Sequence, residues 1–180
     1  MEAHSAGRIR GAVLRLPDFY GPEVSKSYLY RAIQAAATGG TADMLGPIDL
    51  PHEFVFVPDA GPVVAALVRN AGAWGRTWNL AGAGVTTQRE MAERVFAMAG
   101  GKPRLRVAGK NLLRLAGLFN TEMRELVEMH YLLTNPILLD DSALRGLLGG
   151  IHKTSYEEGL RLSLEAARQT AARHTLARTA

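Results

Sequence analysis

The 180-residue chain has no cysteine, so disulfides and thiolate-ligated metal sites are excluded. Aromatic residues are scarce, at 7%. None interleaves with the densest basic cluster, Lys102, Arg104, Arg106, Lys110 and Arg114. Nucleic-acid binders join a basic face to stacking aromatics. The net charge of +4 therefore reads as scattered, solvated surface, and no nucleic-acid partner is expected. No apolar run approaches the roughly 20 residues that a membrane span needs. No basic-then-apolar leader opens the chain. A cytoplasmic protein with no membrane partner is the expectation. His-x-x-x-His spacing is missing among His4, His52, His130, His152 and His174, so no metal site is expected. Gly-x-Ser-x-Gly, the usual setting of a serine nucleophile, is also missing.

What is present suits one domain. Hydrophobic residues make up 47% of a chain long enough for a real core, with no internal repeat and no linker. The informative stretch is Gly11 to Pro22. Its apolar run, Ala12-Val13-Leu14, reads as a strand of a parallel sheet buried on both faces. Pro17 stops it, and Pro17 to Pro22 reads as a turn. In open α/β sheets ligands bind beyond the carboxyl ends of such strands, so the search for a site starts there.

Periodicity and punctuation outline the rest. A helix is expected from about Ser25, its cap, to Ala37, with Leu29, Ile33, Ala36 and Ala37 on one face and Gly39-Gly40 as its stop. Thr41 to Asp49 reads as a short strand and turn. His52 to Val57 is a strand, and Asp59 caps a helix to about Ala71 with Pro62 in its first turn. Thr77 to Ala81 is a third strand, Gly82-Ala-Gly84 a turn, and Thr87 with Glu90 a capping box for a helix to about Ala99. Leu105 to Val107 is a short strand candidate. Helical pieces are expected over Asn111 to Phe119 and Thr121 to Leu133, with Glu122, Glu125 and Glu128 on a solvated face. Asp141 or Ser142 caps a short helix ending at Gly149-Gly150, and Asp140-Asp141 reads as that cap rather than as a catalytic pair. Thr154 with Glu157 boxes a last helix bearing Tyr156, Leu160, Leu164 and Ala167. The domain is expected to span 1–168, with 169–180 as a frayed tail.

Leu14-Arg15-Leu16-Pro17-Asp18-Phe19-Tyr20-Gly21-Pro22 resembles the LR-x-x-N-V-Y-G-P segment of extended short-chain dehydrogenases/reductases, the NAD-dependent epimerase/dehydratase family. Asp18 stands where many members have Asn. His52 to Asp59 resembles the family's R-D-F-V-x-V-x-D block, with His52 and Glu53 in place of Arg-Asp. Thr77 to Ala81 resembles its Y-N-L-G strand, and Leu139 to Leu160 its C-terminal pattern. The resemblance implies an α/β fold: a partial Rossmann-like parallel sheet with a small, mostly helical substrate-binding lobe, equivalent to the C-terminal half of the family. It implies NAD or NADP as the parent's cofactor and hydride transfer at a carbinol or carbonyl carbon of a small-molecule substrate. Leu16 and Pro17 would border the cofactor, and Asp18, Tyr20 and His52 would face the substrate. An alternative for Tyr20 is a packed residue closing the turn. The family's Arg often contacts a nucleotide diphosphate; His52 is a weaker cation, which argues against a sugar-nucleotide substrate.

Two family constellations are missing. There is no Gly-rich turn between a first strand and helix to cradle a pyrophosphate. None of the five tyrosines has a lysine four residues on, so no Tyr-x-x-x-Lys supplies an acid/base phenol. No catalytic residue is therefore assigned. The rival reading is a non-catalytic NmrA-like module that binds a dinucleotide or other ligand. A half sheet leaves a raw edge, so a homodimer or a poorly soluble chain is expected.

Overall fold

β-rich runs too short to form a sheet alone pair instead with runs far along the sequence, and here the strand pairs among the described residues are parallel. The computed structural model describes residues 2–109 and 131–179. In chain order it has α1 (Glu2–Ser5), β1 (Val13–Arg15), β2 (Asp18–Tyr20), α2 (Tyr30–Thr38), β3 (Ala42–Leu45), β4 (Phe54–Phe56) and α3 (Val57–Arg69). A 3-10 turn (Ala71–Ala73) leads to β5 (Thr77–Asn79), α4 (Gln88–Met98) and β6 (Leu105–Ala108). Then come α5 (Tyr131–Thr134), α6 (Ser142–Leu148) and α7 (Tyr156–Thr179). The helical pieces expected between Asn111 and His130 lie outside the described residues, as do Lys110, Arg114 and the Glu122–Glu125–Glu128 face.

Among the described residues the strands form three parallel pairs, β1 with β5, β2 with β4 and β3 with β6. The central pair separates two cores. Side chains alternate along a strand, so Tyr20, Phe54 and Phe56 point one way, into a core closed by α2, α4 and α7. Val55 points the other way, into a smaller core with Val63 and Leu67 of α3, Trp78 of β5 and Leu144 of α6.

Tyr20 is the keystone of the larger core, with no exposed surface. Its ring lies 5.5 Å from Phe56, 6.1 Å from Tyr156 and 6.3 Å, edge-on, from Phe54. Such contacts are worth roughly 0.5–1.5 kcal/mol each beyond area burial. The phenol abuts Gly159 of α7, where an added Cβ would overlap Tyr20 Oη and sit 2.8 Å from Cζ. Gly159 thus lets the helix backbone approach the ring. Tyr20 Oη has no hydrogen-bond partner among the described residues. Burial, with the nearby Tyr156 and Asp59, pushes its ionisation far above the ordinary phenol value of 10.

Several expectations are corrected. β1 is parallel but not buried on both faces: Val13 is 38% exposed, because β5 is its sole strand partner among the described residues. Pro17 to Pro22 is not only a turn, since Asp18–Tyr20 forms β2. The next helix starts at Tyr30, not Ser25. Successive tight turns occupy 21–30, and Ser27 Oγ accepts from the Leu29 amide while Leu29 is buried. Asp59 does not cap α3, which begins at Val57. Pro58 fills its first turn, and Pro62 lies one turn further in. Asp141 holds the α6 N-cap position, as expected, but its side chain makes no capping bond; the Asp140 carboxylate accepts instead from the Ser142 amide at 2.9 Å and hydroxyl at 3.0 Å. The α7 cap is Ser155, not Thr154. Thr87 caps α4 as expected, but Glu90 turns to the Thr86 hydroxyl instead of closing the box. α7 continues to Thr179, beyond the expected Arg168 boundary.

Gly159→Ala should lower stability by about 1–3 kcal/mol despite alanine's better helix propensity, because the new methyl meets the Tyr20 ring. Tyr20→Phe should leave thermal stability unchanged or raise it by about 1 kcal/mol, since it deletes an unpartnered buried hydroxyl. A loss on Tyr20→Phe would overturn this packing. The raised Tyr20 ionisation also has a sign. The stability it carries is complete below the unfolded phenol value of 10 and falls as pH rises above it. Alkaline unfolding should move to higher pH in Tyr20→Phe, as followed by circular dichroism.

Candidate functional site

Tyr20, buried under α7, fixes the register of β2 on β4, placing Asp18 opposite Phe54 and Tyr20 opposite Phe56. His52 lies two residues before Phe54 and so shares its face, beside Asp18. His52 Nε2 and Asp18 Oδ2 are in direct contact, with side-chain exposures of 15% and 34%. The imidazole rests on Phe54 at 4.7 Å between ring centroids. Its backbone is clamped to Thr86 on both sides: the His52 amide donates to the Thr86 carbonyl at 2.7 Å, and the Thr86 amide donates back at 2.9 Å. Half-buried Tyr28 lies within range of the Asp18 charge. Burial first, and the Asp18 charge second, raise its phenol ionisation. The result is a carboxylate–imidazole pair able to hydrogen-bond a hydroxyl or carbonyl and to exchange a proton with it.

Leu16 and Pro17 join the end of β1 to this group. Leu16 is 38% exposed and Pro17 half-buried. Four of the five residues singled out in the sequence therefore sit together at the carboxyl end of β1. Tyr20 does not join them, because it is packed in the core. Sequence reasoning missed Tyr28, which lies in the turns of 21–30 and feels the Asp18 charge.

Glu53 is also not free for a ligand. It is buried, and its Oε2 accepts from the Leu139 amide at 3.1 Å. The Gly82-Ala-Gly84 turn is a packing device. An added Cβ at Gly82 would meet the Phe54 carbonyl at 2.7 Å and Tyr156 Oη at 2.8 Å. Tyr156 accepts from the Phe54 amide at 3.1 Å and donates to the Gly84 carbonyl.

A second polar cluster pins the loop ahead of α7. Asp59 accepts from the Thr154 amide at 2.7 Å and the Thr154 hydroxyl at 2.8 Å. Asp141, 4% exposed, meets Arg145 Nε at 2.9 Å and Lys153 Nζ at 2.6 Å. Lys153 also donates to the Gly82 carbonyl at 2.9 Å. Every charge in this knot has a protein partner, so its work is structural. Among the described residues there is no cluster of three or more His, Asp or Glu that could hold a metal, and no helix long and apolar enough to cross a membrane.

The parallel pairs, the aromatic core and a polar group past β1 define a partial Rossmann-like α/β fold. No protein-family model matches the chain, and no curated protein does. Solved structures do. An epimerase of Methanothermobacter thermautotrophicus matches with a TM-score of 0.73 at 14% identity, over 95% of this chain and 47% of its own. UDP-glucuronic acid 4-epimerase of Bacillus cereus, solved with UDP-glucuronic acid and NAD, matches with a TM-score of 0.71 at 16% identity, over 93% of this chain and 48% of its own. RMD of Pseudomonas aeruginosa, complexed with NADPH, gives 0.71 at 16% identity, over 93% and 51%. The fold is thus shared with NAD(P)-binding epimerases and dehydratases of the extended short-chain dehydrogenase/reductase type, and the chain spans about half their length.

Asp18→Asn should change stability by less than about 1 kcal/mol, because the pair is partly solvated. Asp141→Ala should cost about 3 kcal/mol by leaving Lys153 without its carboxylate. Denaturant unfolding of the two variants separates the site from the knot; equal losses would refute the distinction.

Proposed function

We propose that this chain is the substrate-side part of an NAD(P)-dependent epimerase, dehydratase or reductase, acting on a small molecule by hydride transfer at a carbinol or carbonyl carbon in the complete enzyme. The observation that carries this reading is the Asp18–His52 contact at the carboxyl end of β1, with Leu16 and Pro17 between strand and pair. Ligands of open α/β sheets bind in that position. Leu16 and Pro17 would border the nicotinamide, whose part is to accept or donate the hydride. His52 and Asp18 would orient the reacting oxygen by hydrogen bonds, with Tyr28 as a further polar contact. Tyr20, being buried, would act only through the strand register it sets.

The same geometry bears on the substrate. Some solved structures of this fold carry UDP-sugars. Here His52 is already engaged by a carboxylate and Glu53 is folded inward on Leu139. A diphosphate would have to displace Asp18 and stand beside its charge. A substrate without a nucleotide diphosphate fits better.

A non-catalytic binding module is the second reading, favoured by the missing Gly-rich turn and Tyr-x-x-x-Lys. Calorimetric titration with NAD(H) and NADP(H), beside a turnover assay, discriminates. The isolated chain should neither oxidise nor reduce a substrate and should bind neither dinucleotide at millimolar concentration. Micromolar binding without turnover would replace the enzyme reading with the module. UDP-glucose should also fail to bind; tight binding would overturn the argument drawn from His52 and Glu53.

A further inference from the structure

We propose that the cleft between the carboxyl ends of α2 and α4 binds a small phosphate monoester, held by Lys102, Arg104 and Arg168. The cleft shares no residue with the Asp18–His52 group and stands independently of the functional reading above.

Both helices stop at glycine pairs. Gly39 and Gly100 take the left-handed region, at φ 75° and 78°. The amides of these pairs are spent on the helix ends. Gly39 and Gly40 donate to the Ala35 carbonyl, Gly100 to Ala97 and Gly101 to Phe96. The last carbonyls remain, at the negative end of each helix dipole. Two arginines answer them. Arg104 Nη1 donates to the Gly39 carbonyl at 3.3 Å, and Arg168 Nη2, reaching across from α7, donates to the Ala99 carbonyl at 3.5 Å. Each bond uses one guanidinium donor and leaves the others over.

Arg104, Arg168 and Lys102 are exposed and line one cleft of about 250 Å³. Its apolar wall is made by Ala36, Phe96 and Ala99. No carboxylate lines it, and none of the three cations forms an ion pair among the described residues. Neighbouring cations differ. Arg106 forks onto Asp43 across the β3–β6 pair at 2.5 and 2.9 Å, and Arg161 pairs with Glu158 and Glu165. The basic run that begins at Lys102 therefore divides: Arg106 ties two strands, whereas Lys102 and Arg104 join Arg168 around the cleft.

Three like charges around a concave site, without a counter-charge, focus a positive potential on it. A phosphate monoester brings about −1.5 to −2 charges at pH 7 and three strong acceptor oxygens. Arginine forks match phosphate oxygens in geometry as well as in charge. Drug-sized ligands fill roughly 300–1,000 Å³, so this cleft suits a phosphate on a short carbon skeleton laid against the apolar wall. A nucleic-acid strand would call for exposed stacking aromatics. Phe96, the aromatic in the wall, is buried.

Calorimetric titration of the chain with glycerol 3-phosphate at low salt tests this. Saturable binding is expected, with amide shifts over 100–104 in NMR spectra. Lys102→Gln and Arg168→Gln should each weaken it about tenfold. Arg69→Gln removes the same charge from the exposed end of α3 and should change affinity by less than about twofold. Binding should tighten as pH rises through about 6, where the ester loses its second proton. Lysine and arginine stay charged over that range, so sulfate, a dianion throughout, should show no such step. Equal weakening by all three variants would mean diffuse attraction and would overturn the site, as would no saturation by millimolar ester. Tighter binding of a single-stranded oligonucleotide than of the ester would overturn the assignment in favour of a nucleic-acid surface.

Discussion

The contact on which the rest depends is the seat of the Tyr20 ring against the bare backbone of Gly159. It lets α7 close over β2 and β4 without a gap and anchors a short strand that has few hydrogen bonds of its own. The register it holds is all-or-none. A slip of one residue would turn Tyr20 outward, and with it Asp18, which shares its face. Core packing and site geometry are therefore one constraint, because a three-residue strand carries both.

Several residues that look chemical are spent on architecture. Asp59 holds Thr154, Glu53 holds the Leu139 amide, and Asp141 holds Lys153 and Arg145. The first two draw together segments 95 and 86 residues apart, and the third ties α6 to the loop ahead of α7, where short strands and small cores leave much to polar ties. Buried carboxylates survive there because each has hydrogen-bonding or cationic partners. Asp18 and His52 differ in being partly solvated and paired at a strand end rather than between packed elements. That difference in surroundings, and not residue type, separates the pair proposed to face a ligand from the structural ones.

Local patterns were legible where one element sufficed. The α2 face with Leu29, Ile33 and Ala36 is buried as its helical spacing requires, and Gly39 ends that helix in the left-handed region at φ 75°. Thr87 caps α4. Misplaced starts share a cause. Asp59, Thr154 and Ser25 each stood where a cap is chemically sensible, yet a long-range partner or a run of tight turns set the boundary instead. Tyr28, whose phenol feels the Asp18 charge, left no signal, because it lies in the run of turns over 21–30.

By itself the sequence determined the α/β class, the apolar run of β1, the breaks at Gly and Pro, and the place to look for a ligand, since all of these follow from spacing and backbone chemistry along one segment. Tertiary structure alone decided the parallel pairing of β2 with β4, the burial of Tyr20, the meeting of Asp18 with His52 across 34 residues and the exposure of Val13 on β1. Those depend on which distant segments share a core. No local pattern encodes that choice, because an aromatic at a strand position is equally suited to line a cleft or to fill a gap above a glycine.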